Sequence, residues 1–163
     1  MAYAEGTSVS AEKSRMEIEQ TLLRYGAKAI GYASEEGRAA VVFTMKDRRI
    51  RFIVVLPPLA DFRRSGRPGV PRTPAQQQNA WEQAGRQRWR ALLLVIKAKL
   101  EAIASGISCF EDEFLAHIVL PTGQTVGEAI RPQIAESYAS GQMPPLLGYS
   151  PRPVEISAEA TRG

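Results

Sequence analysis

Cysteine and histidine each occur once in the 163 residues, as Cys109 and His117. A single cysteine excludes an intrachain disulfide and a cysteine-only zinc site, and one added histidine leaves a structural zinc short of its usual ligands. The same scarcity excludes Cys–His and Ser–His–Asp catalysis unless His117 serves as the base. Long apolar runs are missing too. The longest, residues 91–96, is far below the roughly 20 residues that a membrane-spanning helix needs. The N-terminal residues show no basic head followed by an apolar stretch, so no secretory signal is expected and the reducing cytosol is the expected location.

What is present is the composition of a globular domain, 44% hydrophobic and 23% charged, with a formal net charge of +4. The charge is strongly polarised. Residues 46–99 hold 13 basic and 3 acidic residues, whereas the rest of the chain holds 8 basic and 14 acidic. Such a distribution predicts an acidic partner for the middle segment.

Periodicity predicts the element order. Ser10 caps a helix to about Tyr25 that places Ile18, Leu22 and Tyr25 on one face, and Gly26 suits the position just past its end. The period then changes to two. Strands are expected at 29–33, 39–45 and 49–56, with turns at Glu36-Gly37 and Lys46-Asp47, and Pro57-Pro58 ends the third strand. Residues 57–74 form a linker with five prolines, two glycines and four arginines, expected to lack secondary structure.

Thr73 then caps a long helix running to Ser105, with Pro74 at its first position and Gly106 as its stop. Trp81, Trp89, Leu92, Ile96, Leu100 and Ile103 form one apolar stripe on it, rimmed by Arg86, Arg90 and Lys97 on one side and by Arg88 and Lys99 on the other. Gly85 marks a kink or a close contact in this helix. Ser108 and Glu111 have capping-box spacing ahead of a short helix that carries Phe110, Phe114, His117 and Ile118 on one face. Thr125 and Glu128 repeat that spacing before a last helix, which Pro132 is expected to break or kink and Gly141 to end.

The expected fold is therefore α+β: a helix, a three-stranded antiparallel meander, a long helix and short C-terminal helices. Residues 1–9 are expected to be a flexible N-terminus, 10–141 a single domain with a basic Pro/Arg-rich loop at 57–74, and 142–163 an extended or disordered tail. Helix, three antiparallel strands, helix is also the order in double-stranded RNA-binding domains, although here the long linker separates the last strand from the second helix.

The basic middle is the best functional lead. Arg63, Arg64, Arg67 and Arg72 on the loop, with Arg86, Arg88, Trp89 and Arg90 on the helix, combine guanidiniums for phosphates with an aromatic ring for base stacking. Stacking requires that Trp89 or Phe62 be exposed. The bland reading buries Trp89 and leaves the arginines covering its edges. Elsewhere the bland readings prevail. Glu111, Asp112 and Glu113 read as first-turn helix residues rather than a magnesium site, His117 as a packed histidine, and Cys109 as a small buried residue. Gly123-Gln124-Thr125 is too short and generic for a phosphate loop. No catalytic, metal-ligating or cofactor-binding residue is named.

Residues 8–15 (SVSAEKSR), 88–92 (RWRAL), 96–101 (IKAKLE), 113–121 (EFLAHIVLP) and 125–127 (TVG) resemble a family of small, uncharacterised phage and prophage proteins, over about 8–147. The resemblance implies action inside a bacterial cell on behalf of a mobile element, and it transfers no catalytic residue. Together these readings predict a non-enzymatic cytoplasmic protein that binds nucleic acid, with single-stranded DNA favoured. The alternatives are an interaction module that inhibits a host enzyme or defence complex through an acidic surface and, third, a sponge for an anionic nucleotide messenger. The tryptophan stripe also offers a seam for a homodimer.

Overall fold

The computed structural model describes residue 4 and residues 6–66 and 70–144. Arg67, most of the expected C-terminal tail and part of the expected N-terminal flexible segment lie outside the described residues. The chain divides into two compact units, 1–127 and 128–163.

The element order follows the sequence periodicity. Helix α1 (Ala11–Arg24) precedes three antiparallel strands, β1 (Lys28–Glu35), β2 (Arg38–Met45) and β3 (Arg48–Val55), in the spatial order β1-β2-β3. After the loop comes α2 (Pro74–Ala104), then the short α3 (Phe110–Phe114) and α4 (Val126–Ser140). This is the expected α+β architecture.

Local chemistry explains the boundaries. Ser10 Oγ accepts the Lys13 N–H (3.1 Å) at the start of α1. At its end the Ala27 N–H reaches the Leu22 carbonyl and the Gly26 N–H the Leu23 carbonyl, both at 3.0 Å, with Gly26 at φ +88°. That pattern satisfies carbonyls the helix would otherwise leave open. Thr73 and Gln76 form a reciprocal capping box at the start of α2. The β2–β3 turn puts both Lys46 and Asp47 in the left-handed region, the conformation a two-residue hairpin needs to match strand twist.

Strands β2 and β3 pair without a register shift, so Ala39, Val41, Phe43 and Met45 share an inner face with Ile50, Phe52 and Val54. That face packs with Ile18 and Leu22 of α1, with Leu92, Leu93, Ile96 and Leu100 of α2, and with Phe110 and Phe114. Phe114 stands edge-on to both Phe43 and Phe52, with ring centres 6.1 and 6.2 Å away. Trp89, Leu92, Ile96 and Leu100 of the α2 stripe are thus covered by α1 and the sheet of their own chain, whereas Trp81 and Ile103 stay partly exposed.

Five local expectations need correction. Cys109 is exposed rather than buried. Helix α3 ends at Phe114, so His117 and Ile118 lie beyond it. Ser108 does not cap α3. Its N–H closes onto the Ala102 carbonyl at the exit of α2 (3.1 Å), so the cap position falls to Cys109, without a side-chain hydrogen bond. Helix α4 runs through Pro132, which is exposed, without the expected break. The 57–74 loop is not featureless. It holds a 3-10 turn at Leu59–Phe62 and an antiparallel bridge between Arg64 and Pro71.

A further segment extends the sheet edge. The Val119 N–H donates to the Arg49 carbonyl (2.8 Å), and Ile118 bridges Ile50. His117 stacks on Phe52 at 4.0 Å just before that bridge. Burial, and then the Lys99 ammonium, push its pKa below the usual histidine value, against an opposing backbone hydrogen bond at Arg51.

Candidate functional site

The fold disperses the basic middle segment. Arg90 Nη1 and Lys97 Nζ both reach Glu17 Oε2 on α1, at 3.3 and 3.5 Å. Lys99 Nζ contacts the Glu113 carbonyl (2.7 Å) and carboxylate (3.4 Å) on α3. Acids from outside the basic stretch therefore neutralise much of the α2 rim. A helix spaces residues three or four apart on one face, and α1 lies alongside that face.

The arginines of the loop divide. Arg72 turns inward, donating from Nη1 to the carbonyls of Phe62 (3.3 Å) and Arg64 (2.7 Å). With Arg72 N–H to Arg63 O (2.9 Å) and Ser65 N–H to Val70 O (3.0 Å), it holds the two legs of the loop together. Arg63 and Arg64 stay exposed, as does Arg88 on α2, and none of the three has an ion-pair partner among the described residues. A second pair of exposed cations, Lys28 and Arg49, lies across the sheet on either side of Thr44, on the face away from the core.

Trp89 is only 5% exposed and is part of the core, so it offers no surface ring. Arg15 lies over its indole at 5.2 Å, and Tyr32 is tilted against it at 6.3 Å. Phe62 is half-buried in the 3-10 turn.

Trp89 and Arg86 meet instead at a cavity of about 590 Å³ between the start of α1, β1–β2 and the first half of α2. Its walls include Tyr32, Trp81, Trp89 and Gly85, with Arg15, Arg86, Glu12 and Glu82 around them. The polar tips of two wall residues are engaged with backbone: Trp81 Nε1 donates to the Pro57 carbonyl and the Tyr32 hydroxyl to the Arg15 carbonyl, each at 2.9 Å. Burial, reinforced by the Glu19 carboxylate and opposed by Arg15, pushes the Tyr32 pKa up to about 12. Arg86 is aimed by Gln83, whose Oε1 accepts from both Nε (2.9 Å) and Nη2 (2.6 Å). Gln83 Nε2 in turn donates to the Thr7 carbonyl (2.9 Å), fixing the residue that aims the arginine.

Sequence reasoning nominated Arg86 and Trp89 but missed Arg15, Tyr32 and Trp81 as neighbours. One signal was available: Trp81, Gly85 and Trp89 stand four apart, which stacks an empty position between two indoles on one helix face. Nothing local to β1 or α1 indicated their share.

No family model matches the chain, and no curated protein or solved structure matches it either. Among the described residues, no helix is long and apolar enough to cross a membrane.

Proposed function

We propose that the protein is a non-enzymatic binder of single-stranded nucleic acid, with Arg63, Arg64 and Arg88 as its phosphate contacts. One observation carries this reading. These three guanidiniums remain exposed and free of carboxylates among the described residues, while Arg72, Arg86 and Arg90 of the same basic stretch are engaged internally. Phosphate recognition needs accessible, unpaired guanidiniums. The loop that carries Arg63 and Arg64 starts at Pro57, which lines the cavity. The inferred setting is the bacterial cytoplasm, in the service of a mobile element.

Each phosphate contact on a single strand contributes about −0.7 to the slope of log K against log salt, so three contacts predict about twentyfold weaker binding between 50 and 200 mM salt. Titration of a labelled oligonucleotide at the two salt concentrations measures this. The triple variant Arg63→Glu, Arg64→Glu, Arg88→Glu is expected to lose binding. Salt-independent binding, or unchanged affinity in the variant, defeats the reading.

A second reading rests on Ile53 and Val55, which are exposed on the outer face of the sheet near Arg49. An apolar patch on the same strand face as an exposed cation suits an acidic protein surface, such as a host enzyme or defence complex. Stoichiometric recovery of one host protein after nuclease treatment, lost on Ile53→Asp, supports it over the first.

A further inference from the structure

The cavity is the feature that the phosphate contacts leave unused. The geometry points to a base-accepting site: the space between Tyr32, Trp81, Trp89 and Gly85 takes the planar ring of one purine or pyrimidine nucleotide, free or within a strand. The class of ligand follows from four observations.

The first is size. At about 590 Å³ the cavity falls within the range of roughly 300–1,000 Å³ typical of small-molecule pockets. The second is the wall. Two indoles and a phenol ring line it, and the hydrogen-bonding tips of Trp81 and Tyr32 are already satisfied by the Pro57 and Arg15 carbonyls. The Trp81 and Tyr32 rings are thereby held in place and present carbon to the cavity, whereas Trp89, 5% exposed with Arg15 over its ring, offers no stacking face. The two held rings favour a flat π-system over a polar chain.

Third, the rim offers both kinds of hydrogen-bonding group. Arg86, held by Gln83 through Nε and Nη2, has Nη1 left as a donor for a ring carbonyl, and Glu82, whose Oε1 accepts from Gln78, has Oε2 left as an acceptor for an exocyclic amine. A bare cation is a poor match, because Arg15 already occupies the position over the Trp89 ring.

The fourth observation is Gly85. It sits mid-helix, where glycine costs about 1 kcal/mol relative to alanine. No heavy atom lies within 4 Å of where its Cβ would be. Close packing therefore does not require a glycine there, and its effect is to keep the cavity open.

The two tryptophans of the chain both line the cavity, so intrinsic fluorescence reports on its occupancy. The test titrates AMP, GMP, CMP and UMP, and separately a short single-stranded oligonucleotide, into the full chain and into Gly85→Leu. The leucine side chain projects into the cavity from a position with free space, so the variant is expected to melt at or above the wild-type temperature. Saturable quenching that weakens at least about tenfold in Gly85→Leu supports the site. A response to mononucleotides assigns a free nucleotide, and a response to the oligonucleotide alone assigns a base within a strand. Absence of quenching by either ligand, or quenching undiminished in a folded Gly85→Leu, overturns the proposal. Loss of oligonucleotide binding in the triple arginine variant, with mononucleotide quenching retained, separates this site from the phosphate contacts.

Discussion

Between Pro74 and Arg88 no residue of α2 is buried, whereas five are buried from Trp89 onward: Trp89, Leu92, Leu93, Ile96 and Leu100. The two halves share one helical geometry and differ in what faces them. The second half meets the inner face of the sheet and α1, and its rim cations find Glu17 and Glu113. The first half meets the loop and the cavity, and its large side chains are spaced by Gly85. A helix can thus be a structural element at one end and a binding wall at the other. The seam between the two roles is Trp89, which belongs both to the core and to the cavity.

Four experiments break or sharpen this contrast. The largest effect is expected from Ile96→Ala, which empties a fully buried position and should cost about 2–5 kcal/mol by urea unfolding. Trp81→Ala removes a larger side chain, but beside existing free space, and should cost less. An equal or greater loss at Trp81 would erase the difference between the halves.

Next comes Gly85→Ala, expected to raise stability by up to about 1 kcal/mol through helix propensity, since the added methyl meets nothing within 4 Å. Destabilisation in thermal unfolding would show that the first half is as tightly packed as the second.

A smaller effect is expected from Glu17→Gln. It unpairs Arg90 and Lys97, and because Glu17 and Arg90 keep about 28% and 27% of their side-chain surface exposed, the loss should be about 1 kcal/mol or less. It should shrink further at high salt. Arg63→Gln, by contrast, should leave the melting temperature unchanged, as befits a guanidinium without an ion-pair partner among the described residues.

The smallest effects are pH-dependent and carry opposite signs at the two ends. His117, whose pKa is lowered by burial and by Lys99, binds its proton less readily when folded than when unfolded. Its contribution is full above the unfolded value of about 6.5 and is lost as pH falls from there through the folded value. Tyr32 is raised to about 12, so the folded state holds its proton more tightly. Its contribution is full below the unfolded value of about 10 and is lost as pH rises from there through the folded value. Thermal unfolding against pH, compared with His117→Gln on the acid side and Tyr32→Phe on the alkaline side, should show each dependence flatten in its own variant only.

Much of the fold was legible because its signals are local. A serine or threonine cap bonds to an N–H three residues away, as at Ser10 and Thr73, and the glycine at Gly26 acts within one turn. Alternation in β2 and β3 exposes the inner face directly. The site was legible only in part. Arg86 and Trp89 stand out by composition, but Arg72 could not be seen to turn inward onto the carbonyls of Phe62 and Arg64. The cap of α3 moved one residue because Ser108 is claimed by the end of α2, a competition between neighbouring elements that spacing alone does not resolve.

The amino-acid sequence by itself determined the type and order of the elements and the caps that open α1 and α2, because these depend on side-chain period and on hydrogen bonds spanning a few residues. It also determined that the charge is polarised along the chain. Only the tertiary structure decided which charges survive as surface. Glu17 lies 73 residues from Arg90, and Tyr32 lies 57 positions before Trp89, yet each pair meets in space. Packing α1 and the sheet against one long helix neutralised part of its rim, buried one tryptophan and left a cavity beside the other. Those outcomes depend on which faces meet, and contacts across such separations carry no local periodicity.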